Sequence, residues 1–213
     1  MIIIPIGLQC TGSTFKNEIN KTHSLPFDWM FATPLFVYEM LILLLEQNMN
    51  IKDLVNDYFF NCNKRADISD VEHYYISDNG FALYNSKYNV IFPHDEYNID
   101  TIDKYIRRFE RLKDIILNSE EEINFIYISQ SSLNEGNYTI DNINIIEDVY
   151  INLSNIYKLI NKYRTNYKLY IFDSILNENI ELLDKNIILH KLNSCENWTY
   201  LLSQLRQYTH LFV

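Results

Sequence analysis

Glycine and proline are scarce, four of each in 213 residues. No stretch therefore reads as a Pro/Gly-rich linker, and no internal repeat or low-complexity tract breaks the chain. Cysteine is equally sparse: Cys10, Cys62 and Cys195. An odd count of three in a chain this long argues against a disulfide framework and for a reducing compartment, so a cytoplasmic location is expected. Positive charge is in deficit, with 18 Lys and Arg against 28 Asp and Glu, a formal charge of -10. Nucleic acid would be repelled without a dense basic patch, so no nucleic-acid partner is expected. No apolar run reaches membrane length. The longest, Pro34 to Leu45, is interrupted by Glu39 and reads as a core helix, so no membrane partner is expected. Met1 to Ile6 is apolar but lacks a basic flank and is too short for a signal peptide. Also missing are G-x-G-x-x-G, a Walker loop, C-x-x-C and H-E-x-x-H, so neither a cofactor nor a metal is expected.

What is abundant is tyrosine, asparagine and isoleucine. This is the bias of an AT-rich coding sequence, as in some large DNA viruses and protists, and it makes any single Asn or Ile uninformative. Hydrophobic content of 47% with 22% charged residues fits a soluble globular protein. The length suits one well-packed domain, so residues 1–213 are expected to form a single domain.

Residues 1–6 read as a buried strand. Pro34 to Gln47 has the three-and-four spacing of a helix, and Ile51 to Phe60 reads as a shorter one. Asp78-Asn79-Gly80 is a turn signal. Tyr88 to Phe92 reads as a short strand stopped by Pro93. Asp100 or Thr101 caps a helix to about Asn118, with Ile102, Tyr105, Ile106, Phe109, Leu112 and Ile116 inward. Ile123 to Ser129 is an apolar strand, and 131–142 reads as a loop. Beyond it, 145–163 is a helix, Tyr167 to Phe172 a strand ending at Asp173, Ile187 to His190 a strand, and Trp198 to Tyr208 a last helix. Alternating helices and near-continuous apolar strands mark a parallel sheet covered on both faces. The expected fold class is α/β, a three-layer domain with a mostly parallel central sheet.

Two motifs stand out near the start. Gly7-Leu8-Gln9-Cys10 places a thiol after a buried strand and before a segment that can be helical, where a helix N-terminus favours the thiolate. Ser24-Leu25-Pro26-Phe27-Asp28-Trp29 packs a proline, a carboxylate and two aromatics into six positions. Downstream come His94-Asp95 and Arg107-Arg108-Phe109-Glu110-Arg111. With these four motifs, over roughly residues 1–130, the chain resembles the DUF1796 family of papain-like cysteine peptidases. The resemblance implies a cysteine-centred site, and a papain-like α+β fold as the alternative to α/β.

Cys10 is then the candidate nucleophile, against the plainer reading of a small buried apolar residue. Cys62 and Cys195 lack its setting and read as structural. A thiol nucleophile needs a base within hydrogen-bond reach. His94, just past a strand and matched by the family motif, is preferred to His23, His73, His190 and His210. For the group that orients the imidazole, Asp28, Asp95 and Asp173 compete. Asp28 is preferred because it sits in the family motif, with Asp173 second; a cap carboxylate that locks its own loop is an equal reading of Asp28. Phe27 and Trp29 are expected to be buried anchors of that loop. Backbone N–H groups around Cys10 and Thr11, helped by the Gln9 side chain, suit an oxyanion hole.

Ser24, Trp29, Arg107, Arg108 and Arg111 complete the candidate binding residues. Arginines three and four apart suit a carboxylate or phosphate. The competing reading pairs them with Asp103, Glu110, Asp114 or the run Glu120 to Glu122 on a solvated face. Three functions remain open: a cysteine hydrolase acting on a peptide or other acyl substrate, an α/β transferase or binding protein that holds a small anionic ligand on the arginine helix, and a non-catalytic interaction protein, a viral one included.

Overall fold

The computed structural model describes residues 1–7, 11–19, 23–30, 32–60, 83–85, 87–88, 90–92, 95–129, 145–173, 184–193 and 198–212. Its spine is a four-stranded sheet of β1 (Ile2–Pro5), β4 (Ile123–Ile128), β5 (Tyr167–Asp173) and β6 (Ile187–Lys191), in that spatial order and parallel throughout. Ile2 faces Ile123, Ile123 faces Tyr167 and Leu169 faces Ile187 across the ladders. A second, two-stranded antiparallel sheet pairs β2 (Leu83–Asn85) with β3 (Val90–Phe92).

The apolar runs explain the layers. Successive side chains of a strand point to opposite faces, so a strand covered on both sides is apolar throughout. Ile2, Ile4, Ile123, Phe125, Tyr127, Tyr167, Leu169 and Ile171 enter one core, with Phe36 and Met40 of α2 (Pro34–Leu41), Phe109 and Leu112 of α4 (Ile99–Asn118), and Leu153 and Ile160 of α5 (Ile145–Asn161). Ile3, Ile126, Ile128, Tyr170 and Phe172 enter a second core, with Phe15 of α1 (Thr11–Glu18), Leu201 and Leu205 of α6 (Trp198–Arg206), and Phe212. This is the α/β expectation rather than the α+β one. Among the described residues, no helix is long and apolar enough to cross a membrane.

Two expected helices are interrupted. Pro34 to Gln47 begins as α2, capped by Thr33, whose Oγ1 accepts the Phe36 N–H at 3.2 Å. It widens to a π-helical turn at Ile42–Glu46, where the Gln47 N–H donates to the Ile42 carbonyl at 3.0 Å. The wider turn accompanies burial of three consecutive leucines, Leu43 to Leu45, more than one α-helical stripe covers. Ile51 to Phe60 does the same: α3 (Ile51–Asp53) runs into a π turn at Leu54–Phe59. The cap of α4 is Asn98 rather than the expected Asp100 or Thr101; its Oδ1 accepts the Thr101 N–H at 2.9 Å. The expected strand at Tyr88 begins at Val90. The Asp78-Asn79-Gly80 turn and the 131–142 loop lie outside the described residues.

Candidate active site

In open parallel sheets, ligands bind beyond the carboxyl ends of the strands. Here β1 ends at Pro5, and Gly7 lies against β4. A Cβ on Gly7 would come within 3.2 Å of the backbone N and O of Ile128. A Cβ on Gly12 would meet the Pro5 Cβ at 2.8 Å, so the missing side chain lets α1 pack closely on β1. Thr11, the residue after Cys10, is buried and opens α1. Cys10, Gln9 and His94 lie outside the described residues, as do Cys62 and Cys195.

The Ser24–Trp29 motif folds back onto α1. Asp28 is 3% exposed. Its Oδ2 accepts both the Lys16 Nζ at 2.8 Å and the Leu25 N–H at 2.9 Å. Its Oδ1 is equally buried and, among the described residues, has no hydrogen-bond partner. Lys16 also donates to the His23 carbonyl. Burial lowers the Lys16 pKa, the Asp28 carboxylate pulls it back up, and Arg108 and Arg111 add to the lowering. The counter-charge of Asp28 is Lys16. Lysine in a helix is ordinarily exposed, so nothing in the residue type marks Lys16 as buried.

The two aromatics of the motif have opposite fates. Phe27 is buried, edge-on to Phe36 and Phe109 at 6.5 and 6.1 Å between centroids. Trp29, expected to be buried too, is 37% exposed. Its φ is 63°, and its N–H donates to the Ser13 Oγ at 2.9 Å. A left-handed tryptophan is strained by roughly 1–3 kcal/mol. The turn at Asp28 therefore directs this side chain outward while Phe27 takes the inward position.

On α4 the arginines divide. Arg107 is exposed. Arg108 is half-buried, its guanidinium 5.1 Å from the centre of the Tyr105 ring. Arg111 donates to the Ser24 carbonyl at 2.6 Å. Among the described residues none of the three forms an ion pair, so the reading that pairs them with acids of a solvated face is not met. Asp95 is held by Lys104 and by the Tyr105 hydroxyl, which donates to it at 2.6 Å. Burial, then Asp95, pushes the Tyr105 pKa well up.

Asp173 ends β5, where strand reasoning expects a functional carboxylate. It is 5% exposed, and the Tyr150 hydroxyl donates to its Oδ2 at 2.6 Å. Burial and then the Asp173 carboxylate push up the pKa of both Tyr127 and Tyr150. On β6, the His190 ring stacks on Phe172 with centroids 5.0 Å apart. Burial, followed by His210, lowers its pKa, and its Nε2 is buried without a hydrogen-bond partner among the described residues.

Fold and motifs together define a parallel α/β protein whose first strand, β1, is followed in the chain by α1. A family model described as "Putative papain-like cysteine peptidase (DUF1796)" matches residues 2–165, and the chain belongs to that family. No curated protein and no solved structure matches it. The matched stretch contains Cys10, Asp28, His94 and the three arginines, and stops short of Asp173.

Proposed function

We propose that the protein is a cysteine hydrolase acting on a peptide or other acyl substrate, with Cys10 as nucleophile, His94 as general base and Asp28 as the group that orients the imidazole. The family match across the stretch holding all three residues carries this reading. Asp28 suits the role: Lys16 and Leu25 both occupy Oδ2, so Oδ1 is a buried acceptor with capacity for an imidazole N–H.

In this reaction the Cys10 proton passes to His94, and the thiolate forms a bond to the substrate carbonyl carbon. The oxyanion is met by N–H groups around Cys10 and Thr11, with Gln9 assisting. Collapse breaks the bond to the leaving group, which takes the proton from His94 and leaves a thioester on Cys10. Water then loses a proton to His94 and attacks the thioester; the bond from carbon to sulfur breaks, the acid departs, and the Cys10 sulfur takes the proton back from His94. Ser24 and Trp29 border the site on the loop that carries Asp28.

Selective alkylation tests the proposal. A thiol beside an imidazole and before a helix has a pKa below the free value of about 8.5. Iodoacetamide at neutral pH should label Cys10 ahead of Cys62 and Cys195, as read by peptide mapping, and His94→Ala should slow that labelling. A Cys10 that stays inert in the folded protein, or whose rate ignores loss of His94, removes the hydrolase reading.

A further inference from the structure

Three arginines within five positions of α4 stand in a chain of net charge -10, and several of the acids that could neutralise them are engaged elsewhere. Glu121 pairs with the Met1 amino group and Glu122 with Lys168. The Asp114 Oδ1 accepts from Asn118 at 2.8 Å. Asp95 is taken by Lys104 and Tyr105, and Asp28 by Lys16. Arg108 and Arg111 are neighbours on one helix face, three residues apart. The Arg108 guanidinium lies against the Tyr105 ring and, among the described residues, makes no hydrogen bond. Arg111 spends one N–H on the Ser24 carbonyl and keeps the rest of its fork.

We propose that Arg108 and Arg111 form a subsite for an oxyanion, a carboxylate or a phosphate, on the molecule this protein binds. Calling that molecule a substrate rests on the hydrolase reading; the subsite itself does not. A guanidinium presents donors in a planar fork that matches an oxyanion, and contact with an aromatic face fixes its orientation in advance. The Ser24–Asp28 loop supplies the frame. Successive carbonyls of His23 and Ser24 accept from Lys16 of α1 and Arg111 of α4, so the loop is tied to both helices. Because Lys16 already balances Asp28, that carboxylate does not neutralise the two arginines. The lowering of the Lys16 pKa by both arginines agrees with this crowding of positive charge. Arg107, exposed and without such contacts among the described residues, is outside the subsite.

Thermal melts of the full chain test this, with sodium phosphate in one arm. A second arm uses an N-acetylated dipeptide with a free carboxylate, against the same dipeptide as its amide. Sodium chloride keeps ionic strength constant throughout. A saturable rise in Tm is expected with phosphate or with the carboxylate peptide, and the arm that responds identifies the oxyanion. Arg108→Gln/Arg111→Gln should weaken the response at least tenfold, and Arg107→Gln should keep it. The proposal is overturned if neither probe exceeds the chloride and amide controls, if the double variant still responds, or if Arg107→Gln abolishes the response. Cys10→Ala should respond like the native chain. A normal anion response beside an inert Cys10 would therefore end the hydrolase reading and leave the subsite standing.

Discussion

Asp28 and Asp173 are both buried carboxylates, and they are satisfied by opposite chemistry. Asp28 meets a cation: Lys16 and a backbone N–H share one oxygen, and the other has no donor among the described residues. Asp173 meets a phenol, Tyr150, with Tyr127 near enough for its pKa to rise. An ammonium cancels the carboxylate charge, whereas a hydroxyl stabilises it without cancelling it. Strand-end logic favours Asp173 for function, and the family match favours Asp28, since it ends before Asp173. A carboxylate with an unfilled buried acceptor is poised to receive a donor, which is what the proposed His94 needs. A carboxylate already bonded to a phenol is suited to holding strand ends and helix together.

The largest expected effect comes from removing the cation. Lys16→Met leaves Asp28 buried without its counter-charge, and breaking a buried pair from one side costs about 3–5 kcal/mol. Replacing both partners, Lys16→Met/Asp28→Leu, should recover most of that loss, because apolar pairs of similar size often replace buried ion pairs at little cost. Urea denaturation of both variants checks this. A single variant as stable as the native chain would mean the pair is not closed in solution.

The Asp173 side should be softer. Tyr150→Phe removes one hydrogen bond to a charged group, worth about 1.5–3 kcal/mol. Because Tyr150 lies on α5 and Asp173 at the end of β5, the loss should appear in the same denaturation experiment as a smaller shift than that of Lys16→Met. The reverse order would break the contrast between the two carboxylates.

How much of this was legible beforehand follows from the same contrast. The parallel sheet was readable because β4 and β5 are apolar at nearly every position, and only a doubly covered strand is written that way. Asp173 was readable as a strand end. The motif Ser24–Trp29 marked the loop, but not which aromatic turns inward, because the left-handed φ at Trp29 has no signature in an L-residue. The π turns at Ile42–Glu46 and Leu54–Phe59 were hidden because no residue type distinguishes a π turn from an α turn. Lys16 was invisible for the converse reason. Its burial depends on a carboxylate twelve positions away, and pattern reading along a helix sees only near neighbours.

The finest test of the comparison is alkaline pH, where the two sites act with opposite sign. Burial lowers the folded pKa of Lys16 from the ordinary lysine value of about 10.4. Between the folded and unfolded values, the unfolded chain holds more protons at this position, so its contribution to stability rises with pH. Tyr150 is shifted the other way: its folded pKa is raised above the ordinary value of about 10, by burial and then by Asp173. Above about pH 10 the unfolded chain releases this proton while the folded one keeps it, so the Tyr150 contribution falls as pH rises. Unfolding free energies measured from pH 9 to 11 should therefore decline less steeply in Tyr150→Phe than in the native chain. In Lys16→Met they should decline more steeply, because the compensating rise is gone. Parallel slopes in all three proteins would show that neither group differs in proton affinity between the folded and unfolded states, and the distinction between a charge-cancelled and a phenol-held aspartate would then lose its electrostatic basis.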